Sequence, residues 1–129
     1  MKKSFIIFSF IFFLSFQIYP KTLIKITMGY DYVLKKMEVQ GKVDYTEKSD
    51  DIVASSVSIL AYTAHLTLMK LNSIKINSNN DGKTYVVEIL KYDRRTVDEI
   101  RGITKFLING FKLLEGNYKD EVSLNIKVE

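Results

Sequence analysis

Cysteine is missing from all 129 residues, and histidine occurs once, as His65. Without a thiol the chain can form no disulfide, no zinc–thiolate site and no thiol nucleophile. One imidazole cannot build a multi-histidine metal site, so neither a metal nor a cofactor is expected. The lack of cysteine leaves the compartment open. Excess charge is also scarce. Against 15 acidic side chains stand 19 basic ones, giving +4; without Lys2 and Lys3 the 17 remaining bases leave +2. That balance is too small to argue nucleic-acid binding from charge alone, so there is no strong nucleic-acid signal. Repeats, linkers and low-complexity stretches are missing too. What is present is a 47% hydrophobic chain long enough for one domain with one core.

The first residues differ from the rest. "MKKSFIIFSFIFFLSFQIYPK" has two lysines, an apolar run from Phe5 to Phe16 and then Pro20, the pattern of a secretory signal. The run is shorter than the roughly 20 apolar residues a membrane span needs. Its cleavage site is poor, because Ser15, Phe16 and Gln17 do not make the small-x-small pattern. Residues 1–21 therefore read either as a signal-like leader or as a mis-assigned start, and residues 22–129 as the domain.

From Thr22 the periodicity sets the elements. "TLIKITM" and "VLKKMEVQ" are β-rich runs around "GYDY", which suits a hairpin. Ser49 or Asp50 can cap a helix starting near Asp51 and running through "DIVASSVSILAYTAHLTLMKL". No charge falls between Asp51 and Lys70, which predicts a helix buried on most of its faces. "SIKIN" and "TYVVEILKY" flank a turn in which Asp81-Gly82 supplies positive φ angles. In the next helix Val97, Ile100, Ile103, Leu107, Phe111 and Leu114 share one face, and Gly116-Asn117 ends it. "EVSLNIKV" alternates as a last strand. The fold class is α+β, a single ββαββαβ domain with a mixed or antiparallel sheet and two helices.

The stretch between the second strand and the first helix has the layout of a catalytic loop. A glycine follows a strand, a polar segment follows the glycine, and a helix opens on an acid and three serines. Thiol enzymes place a nucleophile in such a first turn, where orphan N–H groups favour thiolate, and take a base from a nearby strand end. Gly41-Lys42-Val43, Tyr45-Thr46-Glu47 and Asp51-Ile52-Val53-Ala54-Ser55-Ser56-Val57-Ser58 resemble the signature of the ribosomal-processing cysteine protease family, Prp. "GFKLLEGNYKDEVSL" resembles the end of that family's second helix and its run into the last strand. The resemblance spans about Leu23 to Val128.

The family's activity, removal of an N-terminal extension from a large-subunit ribosomal protein, is implied by this resemblance. So are a homodimer and a ribosomal-protein peptide as partner. The resemblance puts Lys42 at the family's histidine position and Ala54 at its cysteine position, with Gly41, Asp51 and Ser58 matching. A protonated lysine is no general base near neutral pH unless its pKa falls by several units. No catalytic residue is thus expected: the site Gly41, Lys42, Asp51, Ala54 and Ser58 is a remnant, and a pseudoenzyme that binds a peptide is the reading. If only the two side chains changed, Lys42→His with Ala54→Cys creates an activated thiol.

Other candidates have plain readings. Ser55 and Ser56 are turned away from the direction of Ala54 by about 100° per residue, and hydroxyls on a helix bond back to its carbonyls. His65 lies three turns along the helix and reads as a core or interface histidine. Lys42 and Asp51 form a charge pair or are solvated separately. Tyr30, Tyr32 and Tyr45 either line a peptide groove or pack near hairpins. The alternatives are a diverged hydrolase using serine or lysine, and an exported protein that keeps only the fold. Kinship points to the cytoplasm and the leader to export. The poor cleavage site turns the reading to the cytoplasm, with residues 1–21 a mis-assigned start; export or membrane anchoring through the leader is the alternative.

Overall fold

A computed structural model describes residues 22–41 and 51–129. Residues 1–21, and with them the leader, lie outside the described residues, as do Lys42 and Tyr45.

Five strands and two helices follow in the order β1 (Thr22–Met28), β2 (Leu34–Gln40), α1 (Ile52–Met69), β3 (Lys75–Asn80), β4 (Thr84–Lys91), α2 (Val97–Asn117) and β5 (Val122–Val128). A short 3-10 turn, Arg94–Thr96, leads into α2. The strands form one sheet in the order β3-β4-β2-β1-β5. Three contacts are antiparallel, while β1 and β5 run parallel, from Thr22 opposite Val122 to Met28 opposite Val128. The expected α+β class, ββαββαβ order and mixed sheet are what the chain adopts.

Alternation explains the sheet. Thr22, Ile24, Ile26 and Met28 are buried while Lys25 between them is exposed. Met37 and Val39 on β2, with Tyr85 and Val87 on β4, continue the buried face. Right-handed crossovers put both helices over that face. α2 supplies Ile100, Leu107 and Phe111 to the core, and Val97, Ile103 and Leu114 pack against it, so the expected face of α2 is the inner one. The helices meet closely: a methyl at Gly110 would lie 2.9 Å from Leu60 Cδ1. Glycine allows that approach.

Two details depart from the sequence reading. Gly82 takes φ +85°, but Asp81 is not among the residues with positive φ. Asp81 instead shapes the turn with its carboxylate, accepting from the Lys83 and Thr84 N–H groups. Second, α1 is not buried on most faces. Val53, Ala54, Val57, Ser58, Ala61, Ala64 and Leu68 are buried, while Ile52, Ile59, Leu66 and Met69 are exposed. By length and composition alone α1 could cross a membrane, yet it packs on α2 within the domain.

Candidate functional site

Two elements flank the loop, the end of β2 and the start of α1. Gly41, at φ +135°, follows β2, and its N–H donates to the Lys83 carbonyl at 2.8 Å, tying it to the β3–β4 turn. The carboxylate in that turn, Asp81, titrates below its ordinary range because the Thr84 and Lys83 N–H groups bond to it. At the start of α1 the cap is Asp51 itself, not Ser49 or Asp50. Its backbone is extended, at φ −85° and ψ 98°, and Oδ1 accepts from the Val53 and Ala54 N–H groups, both at 3.1 Å. Two of the four orphan donors of the helix start are thereby satisfied.

Ala54 sits in this first turn, its residue 6% exposed, and Ser58 lies one turn further on, also buried. The two are four residues apart and share the inner face of α1. Ser56 donates its hydroxyl to the Ile52 carbonyl at 2.7 Å, as expected for a hydroxyl on a helix. Asp51, Ala54 and Ser58 are thus gathered at the start of α1, while Gly41 is anchored to the β3–β4 turn. The relation of Lys42 to Asp51 lies outside the described residues.

A second polar group lies further along α1. The His65 Nδ1 is hydrogen-bonded to the Tyr85 hydroxyl, and the Tyr62 and Tyr85 rings stack with centroids 4.5 Å apart and 19° between planes. Asn80 donates its side-chain amide to the Tyr62 hydroxyl. Burial lowers the His65 pKa below its ordinary value. Sequence reasoning missed this group. The signal was the three-residue spacing of Tyr62 and His65 on one helix face, with Tyr85 at an inward position of β4.

Tyr30 and Tyr32 lie elsewhere. They belong to the β1–β2 turn, at the opposite end of β2 from Gly41, with Tyr30 84% exposed and Lys105 Nζ 5.4 Å from the Tyr32 ring centre. A seven-residue strand separates the two ends by roughly 20 Å. Neither tyrosine lines the end that holds Asp51. Among the described residues, no cluster of three or more His, Asp or Glu side chains could hold a metal ion.

Two helices on one face of a five-stranded mixed sheet make an architecture shared with known structures. SMU.848 from Streptococcus mutans superposes with a TM-score of 0.68 at 17% identity, covering 85% of this chain and 97% of that one. The ribosomal processing protease Prp of S. aureus, solved with a covalently linked product peptide, gives 0.68 at 20% identity, covering 82% and 99%. The same protease with a substrate peptide gives 0.65 at 20% identity over the same shares. A search of curated proteins found no match. The sequence model described as Cysteine protease Prp matches residues 23–123, and the chain belongs to that family.

Proposed function

We propose that this chain is a catalytically silent Prp-family protein that holds a peptide at the end of the sheet where its relatives cut one. The carrying observation is Ala54: a buried methyl in the first turn of α1, at the position where the family resemblance puts the nucleophile. Alanine has no electron pair to offer, and the sequence contains no cysteine to replace it. Lys42, at the position matched to the base, is a poor proton acceptor near neutral pH.

Peptide binding is supported by the frame that remains. Gly41 is tied to the β3–β4 turn, Asp51 caps α1, and Ser58 is buried one turn beyond Ala54. The S. aureus relative has been solved with a substrate peptide, which favours the same ligand class here. The N-terminal extension of a large-subunit ribosomal protein, the substrate class of the family, is the ligand of choice. This reading includes a homodimer and a cytoplasmic location, where such a partner is made. A serine- or lysine-based hydrolase is the weaker alternative, because Ser56 is bonded to Ile52 and His65 to Tyr85, about 16 Å along the helix from Ala54. An exported protein that keeps only the fold is the third.

The test pairs binding with turnover on one peptide carrying the ribosomal cleavage sequence. Calorimetry should show saturable binding, weakened by Gly41→Val, while mass spectrometry shows the peptide intact. Cleavage that disappears with Ser55→Ala or Ser56→Ala would overturn the silent reading. Absence of binding at millimolar peptide would overturn the peptide reading.

A further inference from the structure

The small net charge of the chain hides where its bases stand. Several meet at the end of the sheet where β1 turns into β2 and β4 runs toward α2. Lys75 of β3 lies directly opposite Lys91 of β4. Like charges so placed destabilise a strand pair, and the fold gains nothing from them. Arg94 and Arg95 follow in the turn before α2, where the positive end of a helix favours acids instead. All four side chains belong to exposed residues. Of the acids beside them, Asp93 lies 3.7 Å from Arg95 and Asp98 is paired with Arg101 at 2.7 Å, which leaves Glu99 in the first turn of α2. Among the described residues, Lys75, Lys91 and Arg94 have no acidic partner.

Tyrosines share this end. Tyr30 and Tyr92, 84% and 39% exposed, line one hollow of about 360 Å³ together with Lys35. Tyr32 holds φ +65°, a backbone region that glycine or asparagine enters cheaply and a bulky side chain does not. Lys105 Nζ stands 5.4 Å from the centre of its ring. We infer that this end of the sheet binds single-stranded nucleic acid, with bases stacked on Tyr30 and Tyr92 and phosphates held by Lys75, Lys91 and Arg94. Aromatic rings set among cations hold such strands without regard to sequence, because every base has a π-face. A duplex fits less well, since its bases are already stacked on one another. An anionic lipid surface would call on the same cations but offers no rings to stack, so the tyrosines separate the two partners. The length of β2, roughly 20 Å, lies between this end and Gly41, and the inference does not rest on a peptide bound there.

Fluorescence anisotropy of a labelled oligouridine of about 12 nucleotides, titrated with the full chain, tests it. Binding at about 50 mM salt should saturate below about 100 μM protein. Its logarithm should fall against that of salt with a slope near −2, the value for about three phosphate contacts on a single strand. Lys91→Gln and Arg94→Gln should each make that slope shallower by about 0.7. Tyr30→Ala and Tyr92→Ala should each weaken binding by roughly 5- to 100-fold and leave the slope unchanged. Both tyrosines are exposed, so circular dichroism should not change. Lys112→Gln, an exposed change near the other end of α2, should leave binding as it is. No saturation at about 100 μM protein would overturn the inference. So would binding indifferent to both tyrosines, or equally tight for a duplex of the same length; charge alone would then explain it. Binding to phosphatidylserine vesicles that matches the oligonucleotide and ignores the tyrosines would assign the cations to lipid instead. Loss on Lys2→Gln with Lys3→Gln, but not on Lys91→Gln, would assign the contact to the first residues and overturn the surface.

Discussion

The two helices lie side by side on one sheet and treat water differently. α2 divides its sides: Ile100, Thr104, Leu107 and Phe111 go inward, and Glu99, Lys105, Asn109 and Lys112 go outward, with Phe106 and Leu113 as exceptions. α1 has no charge over eighteen residues, and its outward positions hold Ile52, Ile59 and Leu66. The sheet asks the same of both helices, an apolar inner face. The outer positions of α1 are therefore apolar without being part of the core. What α1 has and α2 lacks is a carboxylate cap bonded to two amides; Thr96, before α2, makes no such side-chain bond.

Inner and outer positions can be set against each other by mutation. Phe111 is fully buried, so Phe111→Ala should cost about 3–5 kcal/mol, read as a lower denaturant midpoint with an unchanged slope. Ile59 is 61% exposed, so Ile59→Ser should change stability by no more than about 0.5 kcal/mol. If the two substitutions cost the monomer alike, the outer face of α1 belongs to the fold after all.

The caps give the next largest effect. Asp51→Ala removes the acceptor of the Val53 and Ala54 N–H groups and should cost about 1 kcal/mol. Asp51→Asn keeps an acceptor and should cost a few tenths. Equal losses from both would mean that the charge, not the hydrogen bond, holds the helix start.

Much of this was legible in the sequence where a residue has one physical use. The alternation of β1 and β4, the inner face of α2 and the glycine of the β3–β4 turn each follow from a period or a φ angle. The α1 cap was not, because Ser49, Asp50 and Asp51 are adjacent acceptors and only the backbone angles choose among them. The outer face of α1 was misread because an uncharged run looks the same whether its side chains are buried or exposed. Nor do local patterns say that β5 returns beside β1, a pairing about a hundred residues apart. Of the remnant site, Asp51, Ala54 and Ser58 could be placed from the helix period alone, given the family resemblance.

His65 should produce a smaller, pH-dependent effect. Burial lowers its folded-state pKa, so the unfolded chain binds the proton more readily. Stability is then full above the unfolded value of about 6.5 and declines as pH falls through it, until the folded form is protonated too. Denaturation midpoints measured from pH 8 to pH 5 should show this decline, and His65→Gln should flatten it. A decline that persists in His65→Gln would assign it to the carboxylates instead.

The smallest expected shift bears most directly on the remnant site, where two fields oppose each other. The start of α1 offers backbone N–H groups that favour an anion, which is why a thiol in such a turn ionises easily. Here the Ala54 and Val53 amides are already bonded to the Asp51 carboxylate, whose negative charge disfavours a second anion beside it. Burial of position 54 acts in the same direction. A lone Ala54→Cys thiol should therefore titrate at or above the ordinary value of about 8.5. Adding Asp51→Asn should lower it by a few tenths of a unit, the scale of one charge at an exposed helix end. Because the chain has no cysteine, alkylation rate against pH reads this thiol alone. A thiol already well below 8.5 with Asp51 intact would mean that a cation offsets the cap, and loss of that shift on Lys42→Ala would name it.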